Sequence, residues 1–226
     1  MSAPLDFARD GAVHFPGVLS AAELVALRDL ADQAVNARPG ARLRGAKILD
    51  PILTTTGPVG ALAARLTSSA ARPVRAVMFD KTPEANWAVA WHQDRTLPVA
   101  ERIEVDGFGP WSTKDGLLHV APPFEILARM VTLRVHLDAV DAANAPLCVA
   151  LGSHRLGRVP AGDVAARAAE HPVMNCLADA GDVWAYATPI LHASDRAEPP
   201  RRRRVLQVDF ADSDLPGGLQ WIGLGA

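Results

Sequence analysis

Two His-x-Asp pairs in the chain have the residue types and the spacing of a metal site. His92 and Asp94 form one pair, and His136 and Asp138 form the other. Residues i and i+2 of a β-strand share a face, so the imidazole and the carboxylate of either pair can reach one ion. Because the chain has seven histidines, such a pair arises readily by chance, and spacing alone leaves both pairs open.

A third ligand is needed before one of these pairs can hold a catalytic metal. Two histidines and one carboxylate form the facial triad of non-haem Fe(II) proteins, which leaves open positions on the metal. A cosubstrate and oxygen would occupy those positions. His192 is the best candidate for completing a triad with His92 and Asp94.

The run Arg201 to Arg204 is typical of a solvated surface, but the residues that follow it alternate. Every second residue from Leu206 to Phe210 is apolar and can pack under helices, which turns Arg203 toward the interior of a barrel. By the same alternation Arg134 also faces inward. An inward guanidinium suits bidentate capture of a carboxylate. The alternative, that both arginines lie on the surface of an edge strand, is equally open before any family comparison.

Length and charge limit the class of protein. A chain of 226 residues can bury one substantial core, and its net charge of -2 argues against a nucleic-acid or membrane surface. No apolar run approaches the roughly 18 residues that span a bilayer, and residues 1–10 lack the apolar region of a secretory signal. The cysteines, Cys148 and Cys176, lack a zinc-type spacing and are expected to be buried thiols. We expect a cytoplasmic protein and make no prediction of its oligomeric state.

Helices are predicted in the first third of the chain. Ser20 and Glu23 match a capping box that starts a helix reaching about Val35. A second helix is predicted over 58–66, with a proline in its first turn. These helices occupy about residues 20–70, and the pattern of apolar residues changes after them.

Short apolar or alternating runs follow, separated by turn-forming residues and interrupted by one short helix over about 162–170. The predicted strands are 73–80, 86–93, 131–138, 146–150, 181–187 and 203–210. Helices followed by many short strands indicate an antiparallel barrel or jelly roll with flanking helices. We expect one domain over 1–226, with its core at about 71–212.

The stretch 100–130 fits no regular element in the sequence. It is rich in glycine and proline and directly follows His92 and Asp94. A loop this long inside a compact domain is either functional or a sign that an element has been missed. We expect a lid that covers the site.

The chain resembles the phytanoyl-CoA dioxygenase family of iron and 2-oxoglutarate oxygenases from about Gly11 to Phe210. The most specific segments are WHQD at 91–94, ANAPL at 143–147 leading into GSHR at 152–155, and HAS at 192–194 followed by Arg203. The order and the spacing of these segments agree with the family as well as their residue types.

The resemblance implies a mainly β protein with a double-stranded β-helix core, also called a jelly roll or cupin-like core. It implies that His92, Asp94 and His192 bind Fe(II), with 2-oxoglutarate and O2 as cosubstrates. It favours this triad over the pair on the later strand, which the family does not use for metal. It also implies a set of cosubstrate-binding positions, namely Arg203 and Ser194 at the distal carboxylate, Lys47, Met78 and, without a defined role, Arg134.

The activity implied is hydroxylation of a small organic molecule with release of succinate and CO2. Asp94 favours hydroxylation over halogenation, because the halogenating relatives lack that carboxylate. The substrate could be an acyl-CoA thioester, an amino-acid derivative or a natural product. A jelly-roll metal-binding or sensor protein without turnover is the alternative. A nucleic-acid patch at 201–204 is disfavoured by the near-neutral charge and the lack of interleaved aromatic residues.

Overall fold

The computed structural model describes residues 4–35 and 40–224, so both ends of the predicted domain, residues 1–3 and 225–226, lie outside it. The α-helices in these ranges are α1 (Phe7–Asp10), α2 (Ala21–Ala34), α3 (Asp50–Leu53), α4 (Pro58–Leu66), α5 (Phe124–Ala128) and α6 (Val164–Ala169). The strands are β1 (Ala12–Phe15), β2 (Gly40–Arg42), β3 (Arg72–Lys81), β4 (Val89–His92), β5 (Leu97–Pro98), β6 (Trp111–Lys114), β7 (Leu117–Val120), β8 (Val131–His136), β9 (Leu147–Ala150), β10 (Val173–Cys176), β11 (Val183–Ala187), β12 (His192–Ser194) and β13 (Arg203–Ala211).

Two antiparallel sheets form a double-stranded β-helix, as predicted. The larger sheet has the strand order β1-β11-β8-β13-β3-β2, and the smaller has the order β10-β9-β12-β4. A third sheet, β5-β7-β6, stands outside these two. The non-consecutive neighbours mean that residues distant in sequence are brought side by side, which is how the site is assembled.

The predicted helices and strands are present close to their expected bounds. Helix α2 starts with the expected capping box: the Ser20 hydroxyl accepts from the Glu23 backbone N–H at 3.3 Å, and the Glu23 carboxylate accepts from the Ser20 N–H at 2.7 Å. Two N–H groups that the first helical turn leaves without partners are thereby satisfied. The six predicted strands correspond to β3, β4, β8, β9, β11 and β13.

The alternation in β13 places the core as predicted. Leu206, Val208 and Phe210 are fully buried in one cluster with residues of α2, α3 and α4. Arg203 and Gln207, on the opposite face of the same strand, line a cavity between the two sheets. The helices therefore cover one face of the larger sheet and leave its other face for the site.

The expectation that residues 100–130 fit no regular element is wrong. This stretch contains β6, β7 and α5. The two strands form a hairpin around Asp115 and Gly116, both with positive φ (50° and 76°), which is the backbone geometry that an Asp-Gly turn favours. Strands of four residues are too short to show alternation clearly, so the Asp-Gly pair was the available signal.

The two cysteines differ in how deeply they are buried. Both cysteines are free thiols; Cys176 is buried as expected, but Cys148 is only half-buried, which corrects the prediction for that residue. Burial raises the pKa of the Cys148 thiol.

Within the described ranges, no helix has the length and apolar character required to cross a membrane.

Candidate metal centre

His92, Asp94 and His192 converge on the smaller sheet. His92 ends β4, Asp94 lies two residues further on, and His192 begins β12, where it is paired in register with His92. One potential ligand atom from each side chain lies within 4.8 Å of the other two, and no other such group occurs in the part of the chain that the structure describes. The structure therefore brings together the three residues that the sequence predicted as ligands.

Backbone carbonyls orient the two imidazoles. Nδ1 of His92 lies 2.9 Å from the Ala90 carbonyl oxygen, and Nδ1 of His192 lies 2.9 Å from that of Ile190. A ring that donates from Nδ1 to a carbonyl keeps the lone pair of Nε2 for a metal. Burial, and then the neighbouring His92, lower the pKa of His192 to about 4, which keeps this ring neutral. Two imidazoles and a carboxylate are a donor set that fits Fe(II).

The second His-x-Asp pair, His136 and Asp138, makes contacts that stabilise the fold instead. The Asp138 carboxylate accepts from the Arg204 guanidinium at 2.8 Å and lies 3.6 Å from that of Arg28. His136 is buried, and burial lowers its pKa well below its usual value. Asp138 is paired with arginines, and no third ligand lies beside the pair among the described residues. The geometry therefore distinguishes the two pairs, which spacing alone could not.

His92, Asp94 and His192 line a cavity of about 510 Å³ between the sheets. That volume is in the range of small-molecule sites. Five predicted site residues besides Asp94 line it: His92, His192, Ser194, Arg134 and Arg203. The metal group and the predicted cosubstrate arginine therefore share one cavity.

The structure corrects two assignments, because neither Lys47 nor Met78 lines this cavity. Lys47 is exposed on a 3-10 helix (Lys47–Leu49). Met78 is fully buried in the core beneath the helices, whereas its neighbours Val77 and Phe79 face the cavity. Alternation along β3 decides this, since successive side chains of a strand point to opposite faces.

Within the part of the chain that the structure describes, Arg203 differs from its neighbours in having no carboxylate partner. Arg201, Arg202 and Arg204 pair with Asp141, Asp80 and Asp138, at 2.6, 2.8 and 2.8 Å. Arg203 is 3% exposed, and among residues 4–35 and 40–224 it donates only to the backbone carbonyls of Asn144 and Ala145.

The energetic cost of that position indicates a ligand. The Nε of Arg203 has no partner, and burial together with Arg134 lowers the pKa of Arg203 to about 9. A buried cation without a counter-ion is strongly unfavourable. This arrangement is the one expected of a site that receives an anion.

Lys81 is a cavity residue that the sequence analysis missed. It stands opposite Arg203 in the β3–β13 pair, donates to the Asp195 carbonyl oxygen at 2.8 Å and lies 5.1 Å from the Trp87 ring centre. Burial, then Arg203 and Arg134, lower the pKa of Lys81 to about 8. The alternation along β3 that excludes Met78 would have identified Lys81.

The hairpin of β6 and β7 reaches the rim of the cavity. Asp115, at its turn, lines the cavity and pairs at 3.1 Å with Arg42, a lining residue of β2. Lys114 donates to the Thr96 hydroxyl at 2.9 Å. The hairpin turn in the middle of the predicted lid segment is therefore held to the rim by an ion pair.

The fold and the site define a class: double-stranded β-helix proteins with two histidines and a carboxylate in the cavity between the sheets. A sequence profile of the family described as phytanoyl-CoA dioxygenase (PhyH) matches residues 7–205. The chain belongs to this family. No significant sequence match was found among curated proteins.

Solved structures share this fold at low sequence identity. The epimerase SnoN, in complex with Fe3+, alpha ketoglutarate and nogalamycin RO, is 20% identical over 94% of this chain and 88% of its own, with a TM-score of 0.68. The non-haem alpha ketoglutarate dependent carbocyclase SnoK from nogalamycin biosynthesis is 18% identical over 92% and 82%, with a TM-score of 0.68. EctD from S. alaskensis with bound Fe is 18% identical over 97% and 78%, with a TM-score of 0.62.

Proposed function

We propose that the protein is a non-haem Fe(II)- and 2-oxoglutarate-dependent dioxygenase. The observation that carries this proposal is the presence, in one cavity, of the His92–Asp94–His192 group and of a buried arginine without a carboxylate partner. A metal site alone would fit many proteins. A metal site beside an unneutralised guanidinium fits a cosubstrate that chelates iron at one end and carries a carboxylate at the other.

In this proposal His92, Asp94 and His192 hold the iron, and the bound iron supplies the oxygen chemistry with 2-oxoglutarate and O2 as cosubstrates. The Nδ1 contacts to backbone carbonyls keep both rings oriented with Nε2 toward the metal. The neutral state of His192, which burial favours, makes it available as a ligand without loss of a proton.

The far end of the cavity would bind the distal carboxylate of 2-oxoglutarate. Arg203 and Ser194 both line the cavity, and Lys81 adds a second cation opposite Arg203. Arg134, whose Nη1 donates to the Gln207 amide oxygen at 2.8 Å, lines the same cavity and would help to orient the cosubstrate. The distal carboxylate would neutralise charge that the protein itself leaves without a counter-ion.

We infer hydroxylation of a small organic molecule, with release of succinate and CO2, as the outcome. Asp94 supports hydroxylation over halogenation, since the carboxylate that halogenating relatives lack is present here in the triad. Proteins of similar fold catalyse other reactions: SnoN is an epimerase and SnoK is a carbocyclase. Hydroxylation is therefore tested separately from turnover, by mass analysis of the product.

A metal-binding or sensor protein without turnover is the alternative. It would keep the triad and could hold the same anion at Arg203, so only consumption of the cosubstrate separates it from the oxygenase. A nucleic-acid role for 201–204 is weakened by the ion pairs of Arg201, Arg202 and Arg204. The proposal also includes one domain and a cytoplasmic location, which the two free thiols support.

Succinate production tests the proposal. Purified protein with Fe(II), 2-oxoglutarate and O2 is screened against a library of small acids, thioesters and amino-acid derivatives. We expect slow succinate release without substrate and faster release with the substrate, both lost in Asp94→Ala. Tight binding of Fe(II) and 2-oxoglutarate with no succinate under any condition would favour the sensor alternative.

A further inference from the structure

Arg75 joins the predicted ligand Asp94 to a second carboxylate that does not line the cavity. Its Nε lies 2.5 Å from Oδ2 of Asp209, and its Nη2 donates to Oδ2 of Asp94 at 3.4 Å. Arg75 and Asp209 are directly opposite each other in the antiparallel pair of β3 and β13. One guanidinium therefore spans from the middle of the larger sheet to the metal group on the smaller one.

Asp209 is held on its other side as well. Its Oδ1 accepts from the Thr132 hydroxyl at 3.0 Å, and the Thr132 oxygen lies 3.0 Å from that of Thr188. The Asp209 side chain is 4% exposed, and Thr132 and Thr188 are buried. A carboxylate buried this deeply, fixed by two strands and out of reach of the cavity, serves the residue that it contacts.

We propose that Arg75 and Asp209 are positioning residues that orient Asp94 for the metal. This inference rests on the proposed function, because it takes Asp94 as a ligand. Arg75 contacts Oδ2 of Asp94, so that the carboxylate would be held in one orientation beside the two histidines. Asp209 fixes the guanidinium in the direction that this requires.

Either change is expected to weaken metal binding, for different reasons. Arg75 lies between two carboxylates, so its removal leaves Asp94 without the contact that sets its direction and beside the repelling charge of Asp209. Removal of the Asp209 charge leaves Arg75 free to pair fully with Asp94 and compete with the metal. Both changes weaken metal binding, and partners of metal ligands typically contribute about 10–100-fold in affinity.

Cobalt(II) titrated into the apo protein, followed by its visible absorption, tests the inference without cosubstrate or turnover. We expect Asp209→Asn and Arg75→Gln to raise the Co(II) dissociation constant about 10–100-fold. Asp138→Asn is the matched control. Like Asp209→Asn it removes a carboxylate that is paired with an arginine, here Arg204 at 2.8 Å, but it does so away from the metal group. Its Co(II) affinity should match that of the wild-type protein.

Thermal unfolding of the apo proteins separates positioning from general destabilisation. If Asp209→Asn fails to fold, Arg75→Lys keeps the charge but lacks the fork that reaches two carboxylates, and it should weaken Co(II) binding in folded protein. Wild-type affinity in folded Asp209→Asn, or an equal loss in Asp138→Asn, would overturn this inference alone. Failure of the wild-type protein to bind Co(II) would overturn the proposed function with it.

Discussion

Arg203 and Arg204 are neighbours on β13, and they have opposite electrostatic environments. Arg204 pairs with Asp138 at 2.8 Å, whereas Arg203 faces the cavity and donates only to backbone carbonyls. A strand turns adjacent side chains to opposite faces, so one residue stabilises the fold while its neighbour is left without a counter-ion. The cavity is therefore prepared for an anion at the position that the sequence pattern indicated.

The first prediction concerns that arginine. Arg203→Leu should weaken 2-oxoglutarate binding strongly, because loss of one partner of a buried charge pair costs about 3–5 kcal/mol. Iron affinity should stay nearly unchanged. Arg202→Leu is the control, since Arg202 pairs with Asp80 outside the cavity. A loss below tenfold for Arg203→Leu by anaerobic titration, or an equal loss for Arg202→Leu, would contradict the assignment.

The second prediction concerns the metal ligands. Anaerobic protein with Fe(II) and 2-oxoglutarate should show the weak visible charge-transfer absorption of that chelate. His92→Ala, Asp94→Ala and His192→Ala should each abolish it. His136→Ala should retain it, because His136 lies outside the group of three. If folded His136→Ala loses the metal while His92→Ala keeps it, the ligand assignment is wrong.

The third prediction is a pH dependence that arises from Lys81. Burial and the adjacent arginines lower its pKa to about 8, so in the free protein the amine is protonated below about pH 8 and becomes neutral above it. A bound carboxylate favours the protonated form. Binding should therefore take up a proton above pH 8, and 2-oxoglutarate affinity should fall as the pH rises from 8 to 10.

Calorimetry in buffers of different ionisation enthalpy measures that proton uptake. Lys81→Gln should bind more weakly at pH 7 and lose the proton uptake that sets in near pH 8, while any uptake by Arg203, whose pKa is lowered to about 9, remains. Lys47→Gln is the matched control, since Lys47 is exposed and outside the cavity. An unchanged pH profile in Lys81→Gln would show that the cosubstrate does not contact this amine.

The sequence predicts the local part of this architecture well. Three features depend on residues that are close together in the chain, so the sequence shows them directly. They are the capping box of Ser20, the alternation that turns Arg203 inward and the His-x-Asp spacing at His92. The same alternation applied to β3 would have replaced Met78 with Lys81. The prediction for Met78 is wrong because it rests on the resemblance alone, whereas alternation along β3 places this side chain on the face that the helices cover.

Other features could not be predicted, because they depend on strand pairing. Arg75 meets Asp209 only because β3 and β13 are neighbours in that register, although 134 positions separate the two residues in the sequence. Arg42 meets Asp115 across the rim only once β2 and the hairpin are both in place. Isolated charges in the sequence carry no sign of such partners.

The last prediction concerns the segment 100–130, which we still expect to act as a lid. Its hairpin is fastened by the ion pair of Arg42 and Asp115, at 3.1 Å, and the Asp115 side chain is 79% exposed. An exposed ion pair contributes little, about 0–1 kcal/mol, so it can open easily. We expect proteolysis and fast amide exchange between Glu101 and Asp115 in the apo protein, slowed partly by iron with 2-oxoglutarate and further by substrate.

Arg42→Gln tests whether the ion pair restrains this lid. It should speed amide exchange at the hairpin turn in the ligand-free protein and leave iron affinity unchanged, because the pair lies at the rim and apart from the triad. Arg72→Gln is the matched control, since Arg72 forms another exposed pair, with Asp214, outside the cavity. Exchange should respond to Arg42→Gln alone. Strong protection of 101–115 that is equal with and without ligands, and equal in both variants, would identify a rigid surface element and remove the grounds for a lid.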